Sequence, residues 1–184
     1  MQARREARRR RPEASRQGTA IKKMSENGRP TILLVDDEEM VLNSIKSFFA
    51  IEADYNLLTY TSPEKALEDL ESNHHRIDLV ISDYLMPEMD GIRFLSKVKE
   101  KVPLAPRILL TGYADKENAI KAINEIGLYQ YVEKPWDNED LKLIVRNGLE
   151  KVTLLNELQQ KICEVERAHR ELSDVQTDIL RIFA

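Results

Sequence analysis

The chain has one cysteine, no long apolar run and no excess of positive charge, and each absence excludes a class of protein. The single cysteine, Cys163, allows neither an intramolecular disulfide framework nor a cysteine cluster for zinc, and it fits a reducing cytoplasm. No apolar run approaches the roughly 20 residues of a membrane span, and no apolar segment follows the basic start, as a signal peptide would require. A net charge of −4 argues against general binding of polyanions.

The first 29 residues differ in composition from the rest of the chain. Seven arginines fall within the first sixteen positions, with almost no large apolar side chains, so this segment cannot bury enough surface to fold alone. We predict a disordered basic tail over residues 1–29, and a contact with nucleic acid is expected only there, if at all. Met24 is an alternative translation start to Met1.

From residue 30 to about 150, predicted strands and helices alternate. Apolar runs predict five strands, at Ile32–Val35, Asn56–Tyr60, Leu79–Ser82, Ile108–Thr111 and Gln130–Val132. Helical spacing and caps predict helices at about 38–50, after Ser62-Pro63, at about 92–101, from Asp115 to Gly127 and from about Asp137 onward. This alternation predicts an α/β fold: a doubly wound five-stranded parallel sheet in the flavodoxin-like order 2-1-3-4-5, with its crevice between strands one and three.

Four of the predicted strands end in polar groups. Asp36-Asp37 follow the first strand, Asp83 ends the third, Thr111 the fourth, and Lys134 follows the fifth. In the predicted topology the three carboxylates meet at one edge, where they would repel one another and attract a cation. Oxygen ligands without histidine or cysteine suit Mg²⁺, and an aspartate can form an aspartyl-phosphate. The alternative is that these aspartates only cap turns or helices.

The ordered set of motifs resembles the receiver domain of two-component response regulators over about residues 30–149. The matching segments are Leu33 to Asp37, Asp83 with Met86-Pro87 and Met89-Asp90-Gly91, Leu110-Thr111-Gly112, and Lys134-Pro135. We therefore expect a receiver domain over residues 30–150. Like the family, it would accept a phosphoryl group from a sensor histidine kinase in the cytoplasm and would not be an enzyme beyond self-catalysed transfer and slow autodephosphorylation.

The resemblance also implies a role for each matching residue. Asp83 would be the phosphoacceptor, and Mg²⁺ would bind Asp36, Asp37, Asp83 and the main-chain carbonyl of Leu85. Thr111 would be the switch hydroxyl and Lys134 its cationic partner, with a cis bond between Lys134 and Pro135. Tyr131 would be the switch aromatic, which turns inward as the surface of the fourth helix, fifth strand and fifth helix shifts.

The C-terminal segment, residues 151–184, predicts a coiled coil. Apolar residues dominate a heptad frame whose a positions are Leu155, Ile162, His169, Gln176 and Phe183 and whose d positions are Leu158, Val165, Leu172 and Ile179. A homodimer through this helix is the expectation, and a helix that packs back on its own domain is the alternative. The apolar end suggests a fragment of a longer protein, in which the helix would lead to an output domain or effector.

Two other classes of function remain as alternatives. One is an aspartate-nucleophile phosphatase, although that class needs a general acid two residues past the nucleophile, where this chain has Leu85. The other is a coiled-coil adaptor with a vestigial receiver domain, against which the complete set of polar residues argues.

Overall fold

A computed structural model of the protein describes residues 28–52, 55–73, 76–112 and 126–182, with side chains to residue 173 and at residue 176 in the last helix. Five strands form one parallel sheet in the order β2-β1-β3-β4-β5. They are β1 (Thr31–Val35), β2 (Asn56–Tyr60), β3 (Leu79–Asp83), β4 (Arg107–Thr111) and β5 (Gln130–Glu133). The predicted strands, their order and the fold class are confirmed.

The strands form where apolar runs can be buried on both faces of the sheet. In β1, Ile32 and Leu34 face one core cluster, and Leu33 and Val35 face the other. All residues of β1, β3 and β4 are buried, whereas β2, at the edge, is only half-buried. This difference explains why the apolar run of β2 is interrupted by polar residues such as Thr59.

Four helices lie in the described part of the chain, and polar caps fix most of their starts. They are α1 (Glu39–Glu52), α2 (Pro63–Ser72), α3 (Gly91–Lys101) and α4 (Asn138–Ile182). Ser62 accepts a hydrogen bond from the Lys65 amide and Asp90 from the Arg93 amide, as N-caps do. The helix predicted between Asp115 and Gly127 lies outside the described residues except for its last two positions, Ile126 and Gly127, so α4 is the fifth helix of the predicted fold.

The long helix α4 begins on the sheet and continues past it. Asp137 caps it by accepting hydrogen bonds from the amides of Glu139 and Asp140. Its buried hydrophobic side chains are those of Leu141, Val145, Leu149 and Val152. From Thr153 onward every described side chain is exposed or half-buried. None of the helices in the described ranges has the length and apolar character needed to cross a membrane.

The strand register brings the carboxyl ends of the strands to one edge. Val35 pairs with Ser82, Asp83 with Leu110, and Thr111 with Glu133. The polar residues that follow these strands therefore lie beside one another, as the sequence predicts. The predicted basic tail lies outside the described residues apart from Gly28 and Arg29.

Candidate functional site

Lys134 and two aspartates form the centre of the site. The Nζ atom of Lys134 lies 3.0 Å from Oδ2 of Asp36 and 2.5 Å from Oδ1 of Asp83. Asp36 follows β1, Asp83 ends β3 and Lys134 follows β5, so one ammonium group connects the ends of three strands. The Lys134 amide donates a 2.8 Å hydrogen bond to the carbonyl of Thr111, which joins the end of β4 to the same cluster.

Asp36 is the most deeply buried charged group of the site, with 0% of its surface exposed. Its Oδ1 accepts a 2.9 Å hydrogen bond from the Glu38 amide, and its own amide donates to the Tyr60 carbonyl. Burial raises the pKa of the Asp36 carboxyl, and the bonds from Glu38 and Lys134 oppose this only in part. A buried negative charge that is incompletely compensated favours binding of an additional cation.

Lys134 responds to the same environment in the opposite sense. Burial lowers the pKa of its ammonium group, but the hydrogen bonds and charges of Asp83 and Asp36 outweigh burial, so the net pKa is raised. Lys134 therefore keeps its positive charge throughout the neutral range. The site thus contains a fixed cation beside Asp83, which is only 6% exposed.

The loop after Asp83 folds back tightly on the end of β3. The Tyr84 amide donates to the Leu110 carbonyl, and the Gly91 amide donates to the Tyr84 carbonyl at 2.8 Å. A β-carbon at Gly91 would collide with the main-chain carbonyl oxygen of Asp83. The close approach of α3 to the aspartate therefore requires glycine at this position.

Thr111 and Tyr131 lie on adjacent strands beside this cluster. Thr111 is 1% exposed, and its hydroxyl donates a 3.3 Å hydrogen bond to the carbonyl of Gly112. Tyr131 is half-buried and packs against the core cluster that also contains residues of α2 and α3. Its strand pairs with that of Thr111, through Leu109 with Tyr131 and Thr111 with Glu133. The predicted switch pair is therefore adjacent in the sheet, and its movement stays a prediction.

The two remaining residues predicted to bind the metal, Asp37 and Leu85, have exposed side chains. Asp37 is exposed directly after Asp36, and the Leu85 side chain is 65% exposed in the loop after β3. Within the described ranges, no three histidine, cysteine, aspartate or glutamate side chains are grouped closely enough to hold a metal ion by themselves. The structure thus joins Asp36 and Asp83 through Lys134, and the side chain of Asp37, the next residue after Asp36, is exposed. The bond between Lys134 and Pro135 is cis, as predicted.

Three contributions to the site are missed by sequence reasoning. These are the Glu38 amide and the Tyr60 carbonyl, which fix Asp36, and the contact of Gly91 with the Asp83 backbone. Main-chain donors and acceptors carry no residue signature, so the first two have no signal in the sequence. For Gly91, the available signal is a glycine directly after the helix cap Asp90.

Comparison with known proteins decides the family. The sequence model of the response regulator receiver domain matches residues 32–146, which is more than half of the chain. The chain belongs to the response regulator receiver family.

Two curated response regulators illustrate how this receiver domain relates to longer proteins. The hydrogenase transcriptional regulatory protein HoxA of Cupriavidus necator is 33% identical over 120 residues, which cover 65% of this chain and 24% of HoxA. The regulatory protein AtoC of Escherichia coli is 34% identical over 142 residues, covering 77% of this chain and 28% of AtoC. The chain therefore spans about a quarter of the length of these relatives.

Solved structures of receiver domains share the fold. The signal receiver domain of an HD domain-containing protein from Pseudomonas fluorescens is 39% identical, with a TM-score of 0.63 over 68% of this chain and 98% of that one. A receiver domain protein from Clostridium thermocellum is 35% identical, with a TM-score of 0.64 over 68% of this chain and 98% of that one. In both comparisons the match spans almost the whole of the solved receiver domain.

Proposed function

We propose that this receiver domain is a phosphorylation-controlled signalling module that accepts a phosphoryl group on Asp83 from a phosphohistidine of a sensor histidine kinase. The observation that carries the proposal is the single ammonium of Lys134 held between the carboxylates of Asp36 and Asp83. A fixed cation beside a carboxylate nucleophile stabilises the charge of a phosphoryl group during transfer.

The reaction can be written from the residues of the site. An oxygen of the Asp83 carboxylate bonds to phosphorus while the bond from phosphorus to the imidazole nitrogen breaks, and the imidazole keeps that electron pair. Lys134, which contacts the Asp83 carboxylate before the transfer, then pairs with an oxygen of the new phosphoryl group. Leu85, two residues past Asp83, has an apolar side chain and cannot donate a proton, so we propose slow autodephosphorylation and no turnover of phosphate esters.

The donor groups present fit Mg²⁺ as a cofactor. Mg²⁺ prefers oxygen ligands and usually takes one or two carboxylates with several waters, and Asp36, Asp37, Asp83 and the Leu85 carbonyl are the oxygen donors available here. Bound Mg²⁺ would supply further charge neutralisation for the phosphoryl oxygens. The exposure of Asp37 supports this assignment, because its carboxylate is available to a hydrated ion.

Phosphorylation would then shift the domain between two conformations. We propose that Thr111 and Lys134 follow the phosphoryl group, that Tyr131 turns inward, and that the surface around β5 and α4 changes with them. Such a switch is a change in population of two states of one fold. The position of Tyr131 on the strand next to Thr111 supports this coupling.

We further propose that α4 carries the signal to a second copy of the chain and to an output domain or effector. The exposed apolar residues of α4 beyond the sheet support a homodimer. The length of the relatives, about four times the matched segment, supports an output domain beyond the receiver. We place the exchange with the kinase in the cytoplasm, in keeping with a single unpaired cysteine.

Labelling by a small phosphodonor tests the proposal. With radiolabelled acetyl phosphate and Mg²⁺, the wild-type protein should incorporate acid-stable, base-labile phosphate, and Asp83→Asn should incorporate none. The matched control is Asp90→Asn, seven residues along the same loop, because asparagine caps a helix about as well as aspartate does. Wild-type labelling of Asp83→Asn would overturn the assignment of the phosphoacceptor.

A further inference from the structure

The part of α4 beyond the sheet carries a row of exposed apolar side chains. The described members are exposed by 37 to 68% and are Leu155, Leu158, Ile162, Val165 and Leu172. All of these five occupy a or d positions of the heptad frame, and we call this row the seam. Leu154, which is 65% exposed, lies beside it at a g position. Seven-residue spacing keeps such a row on one side of the helix, where it can be buried only against another elongated surface.

We propose that the occupant of the seam is α4 of a second copy of this chain, lying parallel and in register. The inference rests on the proposed homodimer and specifies its geometry. From Leu155 to the end of α4 at Ile182, the helix extends about 40 Å at ~1.5 Å per residue. Four heptads of this length suffice for a two-stranded coiled coil, and a second copy has a seam of the same length.

The polar residues of the frame favour the parallel arrangement. His169 and Gln176 occupy a positions and are exposed in the described structure. In a parallel pair each a residue meets the same residue of its partner, so the two imidazoles share one layer and the two amides share another. In an antiparallel pair a residues meet d residues, which here are all apolar, and the polar groups would be buried without polar partners.

The charges beside the seam favour the same arrangement. Lys161 occupies a g position and Glu166 the e position five residues later, which is the pair that faces across a parallel coiled coil. Within one chain Lys161 Nζ lies 2.9 Å from Glu164, and Glu166 lies 4.0 Å from Arg170. All four side chains are at least 60% exposed, so Lys161 and Glu166 are accessible to a partner helix.

Cysteine cross-linking tests the orientation in the full chain. Cys163→Ala removes the native thiol, and Leu158→Cys then places one cysteine at a d position near the receiver end of the seam. In a parallel dimer the two introduced thiols meet and form a disulfide under mild oxidation, whereas in an antiparallel dimer they lie about 30 Å apart. The control is Gln160→Cys in the same background, because position f faces away from the seam.

Mixing two charge variants tests the pairing of Lys161 with Glu166. Lys161→Glu alone and Glu166→Lys alone each place like charges at both facing pairs, so each should dimerise about tenfold more weakly than wild type. A mixture of the two variants restores opposite charges at both pairs and should dimerise better than either variant. Changes confined to one helix are the same before and after mixing, so only contacts between helices can restore association.

The possible outcomes test the parallel orientation of the helices separately from the formation of a dimer. Leu158→Cys cross-linking well above Gln160→Cys, with restoration on mixing, supports the parallel pair. Dimers by sedimentation with no more cross-linking of Leu158→Cys than of Gln160→Cys overturn the orientation and leave the proposed dimer standing. A wild-type chain that sediments as a monomer at every concentration overturns both, and labelling of Asp83 is unaffected by any of these results.

Discussion

Glu88 carries the clearest backbone strain in the described part of the site. Its φ angle is 67°, a left-handed value that side chains with a β-carbon rarely adopt. The Met89 amide donates a 2.7 Å hydrogen bond to the Pro87 carbonyl across Glu88, which is the short ring of a γ-turn. The loop that leads from Asp83 to α3 therefore holds a residue in a conformation for which glycine is better suited.

Replacing Glu88 by glycine should stabilise the protein. Glu88→Gly removes the steric cost of the left-handed backbone, and we expect a gain of about 0.5–1 kcal/mol in the free energy of unfolding after the greater chain entropy of glycine is deducted. Chemical denaturation with urea measures the difference. The matched control is Glu88→Ala, which retains the β-carbon and should give no gain. A Glu88→Gly variant that is less stable than Glu88→Ala by about 0.4–1 kcal/mol, the usual entropy cost of glycine, would show that the backbone of residue 88 is unstrained.

Single residues also show what the sequence could and could not predict. The positions of Asp36, Asp83, Thr111 and Lys134 at one edge follow from parallel strands, whose carboxyl ends coincide. The sequence does not predict that Lys134 bonds both carboxylates, because those contacts depend on side-chain reach across β4. Nor does it predict burial of Arg107, whose guanidinium donates to the carbonyls of Ala105 and Gly127, while its Nε has no partner among the described residues.

Among the larger elements, the positions of the buried strands could be predicted from the sequence. The side-chain contacts that hold neighbouring elements together could not. Continuous apolar runs defined β1, β3 and β4 to within a residue, because burial on both faces leaves few polar positions. The edge strand β2 has less burial and is held to α2 by a specific contact, in which the Tyr60 hydroxyl donates a hydrogen bond to the Asp69 carboxylate. Such a contact between distant side chains has no periodic signature.

Because of its surroundings, which include the hydrogen bond to Asp69, Tyr60 is expected to ionise at an unusually high pH. Burial first, and then Asp69, raise the pKa of Tyr60 from 10.0 to about 12. The folded state therefore holds the proton of the Tyr60 hydroxyl more tightly than the unfolded state does. The contribution of this hydroxyl to stability is complete below about pH 10 and is lost as the pH rises through about 12. Stopped-flow pH jumps that record tyrosinate absorbance should show a late ionisation that is absent in Tyr60→Phe.

Removing the Asp69 carboxylate separates its effect on the pKa of Tyr60 from the effect of burial. Asp69→Asn should move the late ionisation to lower pH but keep it above 10, because burial remains. Glu68→Gln, the exposed neighbour on α2, should leave it in place. A late ionisation that persists unchanged in Asp69→Asn would show that the carboxylate does not act on Tyr60.

Considered as a whole, the molecule assembles its site from segments far apart in the chain. Asp36 and Lys134 are separated by 98 positions and meet only when the sheet is complete. A ligand of these groups therefore binds the folded state and not the unfolded one, so its binding energy adds to stability. Burial raises the pKa of the Asp36 carboxyl. A cation that compensates the buried charge of Asp36 would therefore also stabilise the folded state.

Magnesium should accordingly stabilise the whole domain, and most of this stabilisation should depend on the Asp37 carboxylate. At a Mg²⁺ concentration one hundred times its dissociation constant, the free energy of unfolding should rise by about 2.7 kcal/mol, measured by urea denaturation with Mg²⁺ and with EDTA. Asp37→Asn should remove most of this gain while leaving stability in EDTA almost unchanged, because the Asp37 side chain is exposed. Glu39→Gln, an exposed carboxylate two residues later, should keep the full gain. If Asp37→Asn also keeps it, Asp37 is not a ligand, and if the wild-type protein gains nothing, the edge of the sheet at β1 and β3 does not bind Mg²⁺.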